Sequence, residues 1–432
     1  MTSNCDVCVI GGGPSGSTAA ALLSSKGYEV TLLERAKHPR YAVGESLIPH
    51  FWRYVLQSGA HDAIANEGFI QKSGGTVSWG DTIRQMTFRD FGYTQPALHV
   101  ERDCFDELLL KNAKAKGAMV LEECLVTSIN VDKPDSPSVK YTSLSDGEQH
   151  ELQCRFVIDA TGQKTLLSRQ LDFWKLDEDF RFCSVWGYFK NSKYVASDGI
   201  AYSFENVVDI PPTTFVTSLG EWGWSWHIPQ RKSTSVGFVL PTSDFRKIRT
   251  DSGSMEQAFL RYCETTPILN RLLEHAVFCP GSARVIRDYS YQSSQLSVPG
   301  CFMIGDAAAF IDPIFSIGIV LGMYSATLSA WAIDRSLRDS NTADHSREIF
   351  DTQFGERLAM ARALALPGYV ENRQHHADVV RQQMKFQRGC EIDLISVVST
   401  LTNRSTNFTS MVGSNHNRTC DRFKFRNEIV FA

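Results

Sequence analysis

The sequence lacks a basic surplus, a metal-ligand spacing among its cysteines and a long uninterrupted apolar run. Lysine and arginine number 44 against 48 aspartates and glutamates, which gives a net charge of −4. No stretch concentrates positive charge, so nucleic-acid binding is not expected. The 11 cysteines do not follow the repeated pairing of a zinc site. We therefore predict no metal centre, and free thiols in a reducing, cytoplasmic environment.

No membrane segment or secretory signal is predicted. The most apolar long stretch, residues 316–333, is interrupted by glycine, serine and threonine and follows Asp312. Such a stretch is typical of a buried helix rather than of a membrane span. The first residues have no basic segment of the kind that opens a signal peptide. The length of 432 residues and the ordinary balance of 43% hydrophobic and 21% charged residues predict two or three globular domains.

The first 35 residues carry a dinucleotide-binding pattern. An apolar strand at residues 5–10 leads into Gly11-x-Gly13-x-x-Gly16, an alanine-rich helix and a second strand at 29–33 that ends at Glu34. The first glycine allows a tight turn, the second lets the backbone approach a pyrophosphate, and the third lets helix and strand pack closely. The helix N terminus offers free N–H groups to phosphate. Glu34 is placed to accept hydrogen bonds from a ribose.

Two later segments identify the dinucleotide. FVIDATGQ at 156–163 and GCFMIGDAAAFIDP at 300–313 each read as a strand followed by a glycine turn, and in the second a helix is expected to follow Gly305-Asp306. Together with the first fingerprint they resemble the FAD motifs of the p-hydroxybenzoate hydroxylase-like superfamily. Arg102 matches the flavin-contacting arginine of that superfamily. A single GxGxxG suggests that no second domain binds a nicotinamide.

Three further motifs favour one branch of this superfamily. Trp224-x-Trp226-x-Ile228-Pro229 has the form WxWxIP, Lys72 stands in KSGG ahead of WG, and VGESLIP covers residues 43–49. By alternation alone, Trp222, Trp224 and Trp226 indicate only one apolar face of a strand. Lys72 by itself reads as a surface lysine. Taken together, however, the motifs resemble the flavin-dependent halogenases.

This resemblance implies a mechanism and a set of site residues. In the family, FADH2 and O2 form a flavin hydroperoxide that oxidises chloride or bromide, and the hypohalous species travels to a lysine, here Lys72. Burial lowers the pKa of a lysine, so both of its protonation states become accessible. The implied halide site is Ser316, Ile317 and Gly318, and the residues that separate flavin from substrate are Trp224, Trp226 and Phe315. The implied cofactor-binding residues are Gly11, Gly13, Pro14, Ser15, Gly16, Glu34, Arg35, Arg40, Glu45, Ser46, Arg102, Gly305, Asp306 and Ile317.

The resemblance also bears on substrate and partners. Phe315 stands where tryptophan halogenases have a glutamate. This replacement favours a pyrrolyl or phenolic ring carried by an acyl or peptidyl carrier protein, with a free phenol or pyrrole as the alternative. FADH2 is expected from a separate flavin reductase. An acidic carrier would dock on basic residues, for which the candidates are Arg373, Arg381, Lys385 and Arg388; a solvated helix face is the other interpretation of these four.

The predicted fold is α/β (α+β), with a Rossmann-like FAD-binding domain, a substrate-side β-sheet domain and a helical C-terminal region that caps the substrate entrance. The FAD-binding domain is expected in segments 1–45, 95–170 and 280–335, the sheet domain in 46–94 and 171–279, and the helical region in 336–432. Two alternative functions are an FAD monooxygenase or geranylgeranyl-reductase-like oxidoreductase, and an inactive FAD-fold binding protein. The monooxygenase and the reductase do not account for Lys72 together with WxWxIP, whereas the inactive protein would be distinguished by its lack of bound flavin.

Overall fold

Two large β-sheets organise the chain, which we describe from a computed structural model. The structure describes residues 3–79, 82–219, 223–365, 424–426 and 428–431. The predicted mixed α/β fold is confirmed. Trp222 and the four basic residues Arg373, Arg381, Lys385 and Arg388 lie outside the described residues.

The first sheet, called here the N-terminal sheet, has a parallel centre. Its apolar strands are covered on both faces, as parallel strands usually are, and Val7, Cys8 and Val9 are fully buried. An antiparallel hairpin extends the sheet from its longest strand. In spatial order the main strands are Ser297–Val298, Cys301–Met303, Gln149–Asp159, Ser3–Ile10, Val30–Leu33 and Met119–Leu121, and the hairpin adds Ser138–Ser143 and Cys124–Asn130.

The second sheet, called here the large sheet, is mostly antiparallel and contains the tryptophan motif. Every residue of Gly223–Pro229 is buried, because both faces of this strand are covered. A parallel pairing joins Thr213–Leu219 to Gly74–Trp79. In spatial order the strands are Val277–Phe278, Phe182–Lys190, Thr234–Pro241, Gly223–Pro229, Thr213–Leu219, Gly74–Trp79, Thr82–Thr87 and Lys424–Arg426, with Arg284–Arg287 also on Phe182–Lys190.

Smaller sheets and helices complete the described part of the chain. The two-stranded sheet joins Ile70–Lys72 to Ala97–His99, and two three-stranded sheets contain Trp174–Leu176, Tyr291–Ser293 and Ala309–Phe310, and Tyr194–Val195, Ile200–Tyr202 and Val430–Phe431. The α-helices are Pro14–Ser24, Phe51–Ser58, His61–Ala65, Arg102–Ala115, Leu166–Gln170, Thr242–Ser252, Met255–Thr265, Pro267–Leu272, Gly318–Arg338 and Ala343–Ala365. Short 3-10 turns are Arg89–Phe91, Gly162–Lys164, Phe204–Asn206, Gly305–Ala307, Pro313–Phe315 and Ser340–Thr342.

The apolar stretch after Asp312 forms a buried helix, as predicted. Gly318–Arg338 packs against Pro14–Ser24, the helix of the dinucleotide pattern. The packing is close because Gly322 has no side chain, and a Cβ there would lie 2.3 Å from Ser15 Oγ. Within the described residues, no helix combines the length and apolarity that a membrane crossing requires. The nine cysteines of the described part are free thiols.

One local prediction differs from the structure, and two strand pairings add detail to the predicted domains. The helix expected directly after Gly305-Asp306 begins instead at Gly318, because Ala309–Phe310 first pairs with Tyr291–Ser293 and Pro313 opens a 3-10 turn. The C-terminal region, predicted to be mostly helical, contains the helix Ala343–Ala365. Its final described residues form strands that extend two sheets, because their backbone groups pair with exposed strand edges. Arg284–Arg287, predicted within FAD-binding segment 280–335, pairs with the large sheet.

Candidate active site

A cavity of about 690 Å³ lies between the N-terminal sheet and the large sheet. It extends from the dinucleotide turn and Glu34 to the tryptophan strand and the turn before Gly318–Arg338. Such a volume falls in the range of cofactor and ligand sites. The predicted residues that line it are Gly11, Gly13, Pro14, Ser15, Glu34, Arg35, Arg40, Glu45, Ser46, Arg102, Trp224, Trp226, Asp306, Ser316 and Gly318.

The three glycines of the first motif have distinct surroundings. A Cβ on Gly11 would lie 2.3 Å from the carbonyl oxygen of Ala160, and Gly11 has a φ of +107°. A Cβ on Gly16 would lie 1.9 Å from the carbonyl oxygen of Gly11. At Gly13 the nearest atom is a guanidinium nitrogen of Arg40 at 3.4 Å. Gly11 and Gly16 are thus required for packing, whereas Gly13 keeps space open beside a cation, as a pyrophosphate requires.

Glu34 and Arg40 form the polar wall at this end of the cavity. The Glu34 carboxylate accepts hydrogen bonds from the backbone N–H groups of Gly12, at 2.6 Å, and Ala36, at 2.9 Å. Arg40 is 3.7 Å from this carboxylate and 3.3 Å from that of Asp106. The backbone contacts fix Glu34 at the end of its strand, where it faces the cavity.

Residues 41–46 form a strap along the cavity, and two ionic groups hold it, the buried Glu45 and the partly buried Arg102. Arg102 begins its helix, donates to the carboxylate of Asp106 at 2.8 Å and also donates to the carbonyl oxygen of Val43. Glu45 accepts a 2.7 Å hydrogen bond from the Tyr188 hydroxyl. Burial raises the pKa of Glu45. Asp106 and Tyr188 were not predicted; the i, i+4 spacing of Arg102 and Asp106 could have identified the first.

Gly305 and Asp306 bring the third FAD motif to the same cavity. Gly305 has a φ of +54°, and a Cβ there would lie 2.5 Å from Ser15 Oγ. The Gly305 turn therefore packs on the start of the first helix. Asp306 lines the cavity, and burial raises its pKa to about 6, against the opposing charge of Arg102.

The tryptophans and the turn before Gly318–Arg338 occupy the far end. Trp224 and Trp226 are buried, with ring centroids 5.7 Å apart, and line the cavity from one face of their strand. Trp226 fits because Gly237 faces it across the sheet, where a Cβ would lie 2.1 Å from its ring. On the other side, Ser316 has a φ of +57°, an uncommon conformation for a side-chain-bearing residue.

The Ser316 turn presents the start of a long helix to the cavity. Gly318 is exposed and is the first residue of the helix. The N-cap residue is Ile317, whose side chain accepts no hydrogen bond from the first turn. Free N–H groups at a helix N terminus favour anions. Ile317 and Phe315 do not line the main cavity; both line a smaller neighbouring space with Phe354 of Ala343–Ala365. Phe315 is therefore buried and shares this smaller space with the helix Ala343–Ala365, apart from Trp224 and Trp226 on the main cavity wall.

Lys72 is buried just behind the cavity wall, not on the surface. Its side chain is 4% exposed, and Nζ donates to Ser46 Oγ at 2.8 Å and to the carbonyl oxygen of Leu47 at 3.1 Å. Nζ also lies 5.4 Å from the centre of the Phe88 ring. Burial lowers the pKa of Lys72 to about 7. A group with this pKa can act as a hydrogen-bond donor or as a neutral amine near neutral pH.

Two polar residues beside Lys72 were missed by the sequence reasoning. Ser46 Oγ lies 2.9 Å from Thr214 Oγ1, and Thr214 Oγ1 lies 2.8 Å from His99 Nε2. Ser316 Oγ donates to Ser46 Oγ at 3.0 Å. Ser46 thus connects Lys72 to the Ser316 turn. Nothing in the sequence pattern pointed to Thr214 or His99, since the sheet alone brings them together.

The described residues fit FAD and show no metal site. The fixed Glu34, the open space at Gly13 and the cavity that continues to the tryptophans match an adenosine, a pyrophosphate and a flavin ring, in that order. In the described part of the chain, no three histidine, cysteine or acidic side chains form a group that could hold a metal ion.

Comparisons with known proteins agree with this geometry. The family model described as Tryptophan halogenase matches residues 6–95 and 82–377. A tryptophan 2-halogenase of Chondromyces crocatus is 33% identical over 335 residues, covering 77% of this chain and 62% of that protein. The flavin-dependent halogenase armH1 of Armillaria mellea is 31% identical over 400 residues, covering 88% of this chain and 74% of that protein.

The solved structures extend the agreement to the fold. The myxobacterial chondrochloren halogenase CndH, an FAD-dependent halogenase, has a TM-score of 0.77 and 28% identity, covering 97% of this chain and 96% of that one. The predicted resemblance to flavin-dependent halogenases and the predicted FAD cofactor are confirmed at the level of the family. The chain belongs to the family of flavin-dependent halogenases.

Proposed function

We propose that this chain is an FADH2-dependent halogenase of an electron-rich aromatic ring, with Lys72 as its catalytic residue. The observation that carries the proposal is the position of Lys72, buried and hydrogen-bonded to Ser46 on the wall of the cavity that fits FAD. A buried lysine beside a cofactor cavity, with a pKa near 7, is a candidate for chemistry rather than for solubility.

The cavity residues divide into a cofactor end and a reaction end. Gly13, Glu34, Arg40 and the start of Pro14–Ser24 would hold the phosphates and the ribose, and Asp306 and the strap would hold the ribityl chain and ring. Reduced FAD, when bound, supplies two electrons and the reactivity with O2 that halide oxidation needs. This chain's residues supply binding and the exclusion of competing reactants.

The halide is proposed to bind at the Ser316–Ile317–Gly318 turn. The support is the uncapped helix start within the described residues and its place beside the cavity. Trp224 and Trp226 line the same cavity, and their proposed role is to keep the organic substrate away from the flavin. The proposed reaction consumes FADH2, O2, halide and a proton, and yields FAD, water and hypohalous acid. Chloride and bromide both fit this chemistry.

Lys72 is proposed to hold or deliver the hypohalous species to the ring. As an ammonium it can donate a hydrogen bond to the oxygen of hypohalous acid and make the halogen more electrophilic. As a neutral amine it can take the halogen and release water. In either case the ring carbon gains halogen, loses its proton and a molecule of water forms.

The proposed substrate is a pyrrolyl or phenolic group on a carrier protein, with a free phenol or pyrrole as the alternative. The support is Phe315, which replaces the glutamate that tryptophan halogenases use for indole. A second candidate is an indole, because one relative at 33% identity is named a tryptophan 2-halogenase. The basic residues predicted for carrier docking, Arg373, Arg381, Lys385 and Arg388, lie outside the described residues.

The proposed partners are a separate flavin reductase and, for the first substrate, an acyl or peptidyl carrier protein. A reductase is proposed because the sequence has a single GxGxxG. A cytoplasmic location is proposed because the nine cysteines of the described part are free thiols, as a reducing compartment maintains them.

The test supplies FADH2, O2 and chloride or bromide with three substrate groups: loaded carrier proteins, free phenols and pyrroles, and free tryptophan. Mass spectrometry then reads the halogen isotope pattern of the product. Halide-dependent product supports the halogenase, and the substrate group with the fastest turnover identifies the class. An oxygenated product without halogen would point instead to an aromatic monooxygenase, and reduction of an alkene substrate to a geranylgeranyl-reductase-like enzyme. Purified protein that binds no flavin would point to an inactive fold.

A further inference from the structure

A line of buried polar groups runs from Lys72 to the end of the tryptophan strand. Ser46, Thr214 and His99 follow Lys72 in steps of 2.8, 2.9 and 2.8 Å. His99 then reaches the carbonyl oxygen of Pro229 through Nδ1 at 2.9 Å. Buried hydrogen-bond chains of this kind have defined directions, because each hydroxyl has one proton to donate.

The carbonyl of Pro229 sets the tautomer of His99. A carbonyl oxygen only accepts, so His99 Nδ1 must carry the proton of this bond. Complete burial, with smaller contributions from the charge of Lys72 and from His227, holds the pKa of His99 well below its usual value. The imidazole is therefore neutral, and its Nε2 has no proton to donate.

The direction of the remaining bonds follows from this tautomer. Since Nε2 can only accept, Thr214 donates to His99 and must accept from Ser46. Ser46 has then used its single proton, and its oxygen can only accept. It accepts from Lys72 Nζ at 2.8 Å and from Ser316 Oγ at 3.0 Å, which fills both lone pairs.

We propose that His99 is a positioning residue: by fixing Ser46 as a pure acceptor, it keeps the remaining tetrahedral position of Lys72 Nζ free for the reacting species. Nζ has one bond to carbon and donates to Ser46 and Leu47. The fourth position is an N–H when Lys72 is charged and the lone pair when it is neutral. If Ser46 could turn and donate, it would occupy that lone pair. The inference rests on the proposed role of Lys72.

Among the described residues, few groups act on Lys72. Its pKa is lowered by burial, and in the described part of the chain no carboxylate is among the causes. His99 lies on the neighbouring strand of the two-stranded sheet and is the titratable group that interacts with Lys72, with His227 acting in turn on His99. The Phe88 ring faces Nζ from the loop side. A change in the direction of the Ser46 bond is therefore expected to appear directly in the titration of Lys72.

The first test compares Thr214→Val with Thr214→Ser in the full-length protein with FAD bound. Thr214→Val keeps the shape of the side chain but removes the acceptor for Ser46, so Ser46 can donate to the neutral amine. We expect the pKa of Lys72 to fall by roughly 0.4 to 1 pH unit, the equivalent of one hydrogen bond. Thr214→Ser keeps the hydroxyl and should titrate as the wild type. The measurement is NMR of lysine labelled with ¹³C at Cε, with Lys72→Met to assign the signal.

The second test replaces His99. His99→Gln can place an acceptor near the position of Nε2, whereas His99→Phe keeps a planar ring without an acceptor. We expect His99→Phe to lower kcat for halogenation by ~10–100-fold with a shifted pH profile, the cost of a misplaced catalytic group, and His99→Gln to recover most of it. Thermal unfolding of both variants separates this effect from a loss of folding.

The outcomes distinguish the two levels of the proposal. If the wild type halogenates and Thr214→Val titrates at the wild-type pKa, the positioning inference is overturned and the proposed function stands. The positioning inference would also be contradicted if His99→Gln did not recover kcat while Lys72 titrated normally. If Lys72 titrates as expected but neither the wild type nor any variant halogenates a ring, the positioning of Lys72 is supported and the proposed function is refuted.

Discussion

The interpretation of Lys72 changes once its surroundings are known. From its residue type alone, Lys72 would be interpreted as a solvated surface lysine. Its side chain is instead 4% exposed and donates hydrogen bonds to one hydroxyl and one carbonyl oxygen. Neutral acceptors stabilise a buried ammonium far less than a carboxylate does. The residue is therefore poised between two protonation states.

Removal of the Lys72 amine should separate halide oxidation from halogen transfer. With supplied FADH2, we expect Lys72→Ala to lose halogenated product while FADH2 is still oxidised, with release of peroxide. Lys72→Arg should also fail, because a guanidinium stays protonated and has a different shape. Exposed Lys175 provides the control, and Lys175→Ala should halogenate normally. Product is measured by mass spectrometry and peroxide by a coupled assay. Wild-type turnover by Lys72→Ala would remove Lys72 from the mechanism.

Burial of Lys72 should also make stability depend on pH. Its ordinary pKa of 10.5 falls to about 7 in the folded protein. Between these values the unfolded chain binds a proton that the folded chain lacks, so this contribution to the free energy of unfolding rises with pH. Below pH 7, burial of the charged lysine lowers the free energy of unfolding by up to about 5 kcal/mol, and its two hydrogen bonds offset part of this cost.

Lys72→Met is therefore expected to gain stability over the wild type at pH 6 and to lose that advantage as the pH rises toward 10. Urea unfolding at several pH values measures both curves. The wild-type and variant curves would run parallel if Lys72 were accessible to solvent.

Gly13 provides a test of the cofactor end. Its Cβ direction is open except for Arg40 at 3.4 Å, so Gly13→Val is expected to fold but to fill the space of the pyrophosphate. The purified variant should be colourless. Its thermal unfolding should match that of wild-type protein from which the flavin has been removed. Gly16→Val is the contrast, because its Cβ would lie 1.9 Å from a carbonyl oxygen and should prevent folding. Normal FAD occupancy in folded Gly13→Val would contradict the assignment.

At the scale of elements, the tryptophan strand depends on its neighbour. Trp226 lies across from Gly237, and the absence of a side chain at Gly237 leaves room for the indole. Sequence alternation predicted the shared face of Trp224 and Trp226. It could not identify the glycine partner, because register between strands is set by pairing and not by local pattern.

Gly237→Ala is expected to push the Trp226 ring toward the cavity. Overpacking of this kind costs ~1–3 kcal/mol, and the shifted ring should weaken FAD binding. Trp226→Leu added to Gly237→Ala should recover stability, since the smaller side chain leaves space for the new methyl group. Urea unfolding and flavin titration of both single variants and the double variant form the cycle. Additive effects in the cycle would mean that the two residues do not compete for space.

At the scale of the whole molecule, the single dinucleotide motif bears on how electrons arrive. The sequence has a single GxGxxG; its Gly11 and Gly13 line one end of the large cavity of the described residues, and the tryptophans line the other end. Mixing of the oxidised FAD-bound protein with NADH or NADPH in a stopped-flow instrument is expected to leave the flavin colour unchanged. Addition of a flavin reductase should start turnover. Rapid bleaching by NADPH alone would favour the monooxygenase alternative.

The parts predicted correctly from sequence were those encoded locally. The strand, glycine turn and helix at residues 3–24 and the buried helix Gly318–Arg338 each follow from residue type and spacing within one segment. The helix misplaced after Gly305-Asp306 fails for a related reason. Ala309–Phe310 has no strong local preference, and its pairing with Tyr291–Ser293 is a distant contact.

The local sequence encodes the FAD fold and makes Lys72 a candidate for the catalytic residue, because glycine turns and rare motifs restrict local backbone and chemistry. Only the tertiary structure decided the surroundings of that lysine. Ser46, His99 and Thr214 come from three separate segments, and they meet because Ser46 and the Lys72 strand both pair with Ala97–His99. Hydrogen-bond direction, burial and the resulting pKa arise from such long-range contacts, whose partners no local pattern specifies.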